Sequence, residues 1–159
     1  MKKLIATILG TAFVLSLSVA AMAEPAQGNT ENSAIKTEIK AEKEELKGLR
    51  GESKELHGTI KSTREEVKGL MKANKESEAT EKIEAAKGFK DQLKALNEEL
   101  KTMRESRKQL HAEVKTAKEA QDFETVKSKL EQVIDLRNKI IEKLNVKLGL
   151  LNQIKTVLN

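Results

Sequence analysis

Near its C-terminus this chain reads DFETVKSKLEQVIDLRNKIIEKLNVKLGLLNQIKTVL from Asp122 to Leu158. Apolar side chains recur there every three to four residues, the spacing that places them along one side of an α-helix. In heptad notation, positions a and d form the seam that faces neighbouring helices. Position a holds Phe123, Leu130, Arg137, Leu144, Leu151 and Leu158, and position d holds Val126, Val133, Ile140, Lys147 and Ile154. The pattern predicts one long amphipathic helix.

Two earlier segments carry similar seams, in registers that do not join. The first has Ile39, Leu46, Ser53, Ile60, Val67 and Asn74 at a, and Ile35, Glu42, Leu49, Leu56, Thr63 and Leu70 at d. The second has Ala79, Ala86, Leu93, Leu100, Arg107 and Val114 at a, and Phe89, Leu96, Met103, Leu110 and Ala117 at d. Leu46 and Leu100 are 54 residues apart, which is not a multiple of seven. One unbroken heptad helix therefore cannot hold both seams without a skip.

Two breaks in the pattern divide the chain into three helices. They fall near residues 74–80 and 117–122, and Asp122 is a candidate N-cap for the third helix. We predict an all-α fold over residues 33–159, an antiparallel three-helix bundle or coiled coil of long helices at about 33–74, 78–119 and 122–158. The alternative is two long helices, with the first break bridged as a stutter.

The first 23 residues have the features of a secretory signal peptide. Lys2 and Lys3 supply the positive start, and an uncharged apolar run covers 4–19. Ala21-Met22-Ala23 then offers small residues at the positions that a signal peptidase requires, so cleavage is predicted before Glu24. The protein is therefore expected to be exported, to a periplasm or to the extracellular space.

A short polar stretch separates this leader from the helices. Residues 24–32 contain Pro25 and Gly28 and are predicted to form a flexible tail. The alternative to cleavage is a membrane anchor, because the uncharged stretch 4–23 approaches spanning length. Nothing after Ala23 is apolar for long enough to span a bilayer, so no transmembrane segment is expected after cleavage.

Composition and motifs argue against enzyme chemistry. The chain has no cysteine, which excludes disulfides, thiolate zinc sites, iron–sulfur clusters and cysteine nucleophiles. It also lacks a Gly-rich phosphate loop, a Gly-x-Ser-x-Gly motif and a His-Glu-x-x-His motif. We therefore predict no catalytic, cofactor-binding or metal-ligating residue. The net charge of +5 is spread along the chain rather than blocked, which does not indicate a nucleic-acid partner.

The only two histidines, His57 and His111, are predicted to be solvated surface groups. In a hairpin that turns near 76–77 they would lie about 20 Å apart, too far to share a metal ion. They also belong to an internal similarity, in which residues 39–61 match 93–115 at eleven positions. Arg50 pairs with Arg104 in that alignment, and His57 with His111. Duplication of a helix is plausible from this similarity.

The third helix has an unusually wide apolar face. Ile134, Ile141 and Leu148 add a row at position e, while Leu136, Leu150 and Val157 add a row at g. In one interpretation this helix is central and touches both others. In the other, one row stays open to a partner or a second copy, which makes these six residues candidate partner contacts. Arg107, Arg137 and Lys147 interrupt the seams, and we interpret them as setting helix register.

Glycines mark the first helix as the softest of the three. All six glycines from Gly48 onward fall at the outward positions c or f, and four of them belong to the first helix: Gly48, Gly51, Gly58 and Gly69. Because an interior glycine lowers helix stability, we expect the amides of this helix to exchange fastest.

A signal peptide followed by a small, cysteine-free, Lys/Glu-rich helical chain resembles the Spy/CpxP-type periplasmic proteins of bacteria. The resemblance covers composition and layout over residues 1–159 and does not include the Leu-Thr-x-x-Gln motif of that family. It implies a non-enzymatic protein that binds unfolded or envelope-stress protein clients without ATP. One alternative is a self-associating structural coiled coil of the cell envelope. A second is a weak binder of metal or of an anionic polymer through Lys-rich faces.

Overall fold

A computed structural model describes the backbone of residues 27–159 and the side chains from Ser33 onward. The predicted signal peptide, 1–23, lies outside the described residues, as does the start of the predicted tail. Every element described is helical: α1 covers Gln27–Glu76, α2 Thr80–Ala85, α3 Lys87–Glu119 and α4 Phe123–Leu158. The all-α prediction is confirmed.

Three of these helices are long, and the short α2 leads directly into α3. Ala86, between α2 and α3, keeps right-handed helical angles of φ −76° and ψ −14°. The helix α1 begins at Gln27 and so includes residues 27–32, which the sequence placed in the tail. None of the helices in the described range is long and apolar enough to cross a membrane.

The chain reverses direction at two short turns. Glu78 and Gln121 adopt positive φ angles of 56° and 57°, the left-handed conformation that ends a helix. At the second turn the Asp122 carboxylate accepts a hydrogen bond of 3.0 Å from the backbone N–H of Thr125. This confirms the predicted N-cap. The Thr125 hydroxyl also donates to this carboxylate at 2.6 Å, and the hydroxyl bond followed by the backbone bond holds the pKa of Asp122 below its ordinary value.

Interhelical ion pairs show how the long helices run relative to one another. Glu38 pairs with Lys127 at 2.7 Å, and Glu66 pairs with Lys155, so both pairs join residues 89 positions apart. A constant separation means that α1 and α4 run in the same direction. Between α3 and α4 the numbering runs in opposite senses, since Glu113 meets Lys129 and Glu99 meets Lys143, each at 2.6 Å. The long helices therefore run up, down and up.

The helix α4 lies between the other two long helices. Both α1 and α3 pack along α4, but no Cα atom of α1 approaches a Cα atom of α3 within 8 Å. This arrangement agrees with the interpretation of α4 as the central helix. It leaves an open side to the bundle, walled by α1 and α3 and floored by α4.

The heptad seams are confirmed as the buried side of each helix. Every predicted seam residue is buried or half-buried, and all six residues at position a of α1 are buried. The glycines are exposed, and a Cβ added at any of the six from Gly48 onward would meet no atom within 4 Å. Periodicity alone therefore assigned the inner and outer faces.

The core is divided into two apolar clusters. The large cluster contains Ile60, Val67, Ala86, Leu96, Leu100, Ile140, Leu144, Leu150, Leu151, Ile154 and Leu158. The small cluster contains Ile39, Leu46, Ala117, Val126, Leu130, Val133 and Ile134. On α4 the residue between them is Arg137, which interrupts the apolar row. The centre of the bundle therefore has different chemistry from its two ends.

Candidate functional site: an arginine layer between two apolar clusters

Four of the five arginines in this chain line one pocket at the centre of the bundle. Arg50 comes from α1, Arg104 and Arg107 come from α3, and Arg137 comes from α4. We call these four residues the arginine layer. The pocket has a volume of about 300 Å³ and opens on the side where the Cα atoms of α1 and α3 stay more than 8 Å apart.

The rest of the pocket lining adds positive charge and no negative charge. Lys54 and His57 complete the α1 wall together with the buried Ser53, and Ile140 adjoins Arg137 on the floor. None of the eight lining residues is acidic. With His57 neutral, four guanidinium groups and one ammonium group face a single small volume.

Arg137 is the most unusual member of the layer. Its side chain is only 7% exposed, and its Nε has no hydrogen-bond partner among the described residues. Burial lowers its pKa, and Arg107 and Arg50 lower it further. Burying a charged group without a partner costs roughly several kcal/mol, because the lost hydration is not replaced. The fold tolerates this charge at the point where Leu or Ile would be expected.

No arginine takes part in an ion pair among the described side chains. All ten ion pairs between described side chains use lysine, and most lie on the exposed faces of the helices. Arg107 has its pKa lowered by burial and then by Arg104 and Arg50. Lys147, whose Nζ donates to Asn97 Oδ1 at 2.6 Å, has its pKa lowered by burial and then by Arg64 and Arg104. The layer is therefore a region of mutual repulsion.

The two histidines take equivalent places on opposite walls of the layer. His57 Nε2 lies 3.4 Å from Arg104 Nη2, while the strongest nearby charge on His111 is Arg50. These crossed pairs follow the internal similarity, in which Arg50 corresponds to Arg104 and His57 to His111.

The histidine environments are cationic. Burial lowers the pKa of both imidazoles, and the neighbouring arginines lower it further. His57 faces Arg104, and His111 lies seven residues beyond Arg104 along α3. The two histidines are therefore separated by roughly 10 Å along the bundle, rather than by the 20 Å predicted. Surrounding cations oppose a metal ion, and no group of three or more candidate ligands occurs in the described part of the chain.

A second opening adjoins the layer along the same side of the bundle. We call it the lysine-rimmed groove; its volume is about 390 Å³. Its apolar residues are Val67, Met71, Leu93, Leu151 and Ile154, and its basic residues are Arg64, Lys68, Lys72, Lys75 and Lys90. Arg64 lines this groove and also lowers the pKa of Lys147.

The six candidate partner contacts on α4 are largely covered by α1 and α3. Ile134, Ile141 and Leu150 are buried, with 8%, 7% and 9% of their surface exposed. The other three, Leu136, Leu148 and Val157, are half-buried against the large cluster. Among the large apolar side chains described, only Val146 is exposed, at 53%. Partner contact by the six residues stays a prediction.

The sequence singled out Arg107 and Arg137 but did not bring the arginines together. Their convergence depends on the vertical offset between α1 and α3, which a heptad pattern does not contain. The available signal was compositional, because arginine is rare in this lysine-rich chain and recurs only on or near the seams. Comparison with family models, with curated proteins and with solved structures finds no match for this chain.

Proposed function

We propose that this protein is an exported, non-enzymatic helical protein that binds polypeptide clients in a chaperone-like manner through the lysine-rimmed groove. The observation that supports this proposal is an apolar floor inside a basic rim, on the side where the Cα atoms of α1 and α3 stay more than 8 Å apart. Such a surface suits apolar segments flanked by acidic residues.

The chemistry of the groove favours weak and rapidly reversible contacts. Met71 is flexible and polarizable, so it adapts to side chains of different shape. The half-buried Leu93 provides further apolar surface above the buried floor residues Leu151 and Ile154, while the rim lysines attract client carboxylates and accelerate encounter. A groove of about 390 Å³ holds only a few side chains at once. This limits affinity and suits transient shielding of an unfolded segment.

The covered apolar face of α4 offers a larger surface when α1 moves away. The first helix carries four exposed glycines, which weaken it without contributing to packing. In this proposal a client first engages the groove and then competes with α1 for Ile141 and Leu148. The same opening would expose Ile134, which shares heptad position e with Ile141 and Leu148, whereas Leu136, Leu150 and Val157 lie at position g, on the side where the α4 lysines pair with α3.

The test is suppression of aggregation. The purified protein is mixed with a chemically unfolded client, and light scattering is followed during dilution from denaturant. We expect the wild-type protein to slow aggregation near equimolar ratio and Met71→Glu to lose most of that effect. Val146→Glu is the matched control, because it places the same charge at an exposed apolar residue outside the groove. If the wild type neither slows aggregation nor binds a hydrophobic dye, the proposal is wrong.

A further inference from the structure

We propose that the arginine layer is a binding site for a compact, multivalent phosphate anion, a diphosphate or triphosphate group. This site is separate from the client groove and goes beyond the proposed function. It rests on the charge of the pocket, on the buried Arg137 and on the volume available.

Charge determines the valence of the ligand. The pocket lining includes Arg50, Lys54, Arg104, Arg107 and Arg137, with no acidic residue among the eight that line it. A single carboxylate or other monoanion would leave four of these positive charges uncompensated. A diphosphate or triphosphate carries three or four negative charges, which matches the layer more closely. The volume of about 300 Å³ accepts such a group but not a folded macromolecule.

Arg137 provides an observation that is independent of surface charge. Its side chain is more than nine-tenths buried, lines the pocket floor, and has an Nε without a partner among residues 33–159. A guanidinium presents its N–H donors in a fixed planar fork that fits phosphate oxygens in a bidentate manner. A buried, unpaired donor at the base of a cationic pocket is explained by an anion that supplies the missing acceptor.

The placement of the other arginines suits a ligand with two or more equivalent phosphate groups. Arg50 donates from the α1 wall, while Arg104 and Arg107 donate from the α3 wall. His57 Nε2 on the α1 wall lies 3.4 Å from Arg104 Nη2 on the α3 wall, so the two walls are close enough for one ligand to reach both. A phosphate on each side of Arg137 would then meet donors from both helices.

The interhelical lysines do not offer an equivalent site. Lys127, Lys129, Lys143 and Lys155 are each paired with a glutamate, so an anion there would compete with an existing carboxylate. The lysine-rimmed groove is also basic, but its floor is apolar and has no buried, unpaired donor among the described residues. The buried Arg137 therefore distinguishes the layer from the rest of the basic surface.

The test is calorimetric titration of the purified protein with inorganic pyrophosphate at about 150 mM salt, where weak surface attraction is screened. We expect saturation at one ligand per chain and a rise of several degrees in the thermal unfolding midpoint, because the ligand binds only the folded layer. Arg107→Gln should weaken binding about ten- to a hundredfold, the range expected for losing hydrogen bonds to a charged group.

The matched control is Lys108→Gln, which removes the same charge at the next residue. Lys108 is exposed and does not line the pocket, so this variant should bind as the wild type does. Arg137→Met is a second variant that removes the buried donor without leaving a cavity. Equal helical circular dichroism of all four proteins ensures that loss of binding is not loss of folding.

Two further titrations identify the source of the phosphate group. Binding of ADP as tight as that of pyrophosphate indicates a nucleotide diphosphate, and weaker binding of ADP indicates a free condensed phosphate; either result supports the site. No binding of pyrophosphate, or equal losses in Arg107→Gln and Lys108→Gln, overturns the proposal. Binding of an acidic peptide in place of pyrophosphate also overturns it. Client suppression is tested through Met71, so the two proposals fail independently.

Discussion

The large cluster and the arginine layer are built on the same seams, one heptad apart. On α3 position a changes from Leu100 to Arg107, and on α4 it changes from Leu144 to Arg137. Leu100 and Leu144 are completely buried, with 0% of their surface exposed, and pack within the large cluster. Arg137 is 7% exposed at an equivalent place, but its Nε has no partner among the described side chains. One backbone arrangement therefore gives stability at one level and an unsatisfied cationic pocket at the next.

The largest expected effect is at the large cluster. Leu144→Ala removes a fully buried side chain from the helix that contacts both others, so it should lower the free energy of unfolding by about 2–5 kcal/mol. Urea denaturation followed by circular dichroism measures the change. A loss below about 1 kcal/mol would show that this level of the bundle is not tightly packed.

The equivalent change in the arginine layer should have the opposite sign. Arg137→Met replaces a buried charge that has no acidic partner in the part of the chain that the structure describes with an apolar side chain of similar length. We expect the free energy of unfolding to rise by about 1 kcal/mol or more, as for other buried charges replaced by apolar groups. The same urea titration, without phosphate in the buffer, provides the measurement. Marked destabilisation would mean that Arg137 has a partner in solution.

The α1 wall of the layer should be strengthened by substituting its glycines. Gly51 and Gly58 are exposed and helical, have negative φ, and leave open space where a Cβ would lie. Each change to alanine should therefore add about 0.5–1 kcal/mol to the free energy of unfolding. Hydrogen exchange should also slow in α1 more than in α4. Unchanged exchange in α1 would contradict the idea that its glycines make it soft.

The pH dependence of stability gives the smallest effect. Burial and nearby cations lower the pKa of both histidines in the folded protein. The cations near His57 are Arg104, Lys147 and Arg107. Those near His111 are Arg50, Arg107 and Arg137. As pH falls through the ordinary histidine value of about 6.5, the unfolded chain binds protons before the folded chain does. Stability should therefore decline from pH 8 towards pH 5.5, most steeply near and below 6.5.

The double variant His57→Gln/His111→Gln isolates this effect. Thermal unfolding midpoints at pH 8, 6.5 and 5.5 should fall less in the double variant than in the wild type. Glu42, whose pKa is raised by burial and by Glu131, titrates in both proteins and cancels in the difference. A wild type that gains stability on acidification relative to the double variant would contradict the cationic surroundings assigned to the histidines.

The faces of the helices could be predicted from the sequence because hydrophobic periodicity is a local property. The buried residues Ile39, Leu46 and Ile60 follow directly from the seven-residue spacing in α1. The offset between helices could not be predicted in the same way. A hairpin turning near 76–77 places residue 96 opposite His57, but the structure places Arg104 there. The short α2 lies between α1 and α3, so α3 enters the bundle later than a direct hairpin allows.

This difference of eight residues, between position 96 and Arg104 opposite His57, explains why the sequence pattern does not predict the arginine layer. The heptad pattern places Arg107 and Arg137 on the seams. It places Arg50 and Arg104 at position e, outside the seams, where charged side chains are usually exposed. Only the correct offset brings the four together at one level. The side where α1 and α3 remain apart was also not predicted, because a heptad seam does not say how many neighbours a helix has.

Zero-length carbodiimide cross-linking tests the central arrangement most directly, because it joins lysine to glutamate only where they already touch. If one chain folds with α4 between a parallel α1 and an antiparallel α3, mass spectrometry of the monomer should find four links: Glu38–Lys127, Glu66–Lys155, Glu99–Lys143 and Glu113–Lys129. If these links form only in a cross-linked dimer, or if α1 is joined to α4 in the reverse order, the helices are not arranged as described and the arginine layer does not exist within one chain.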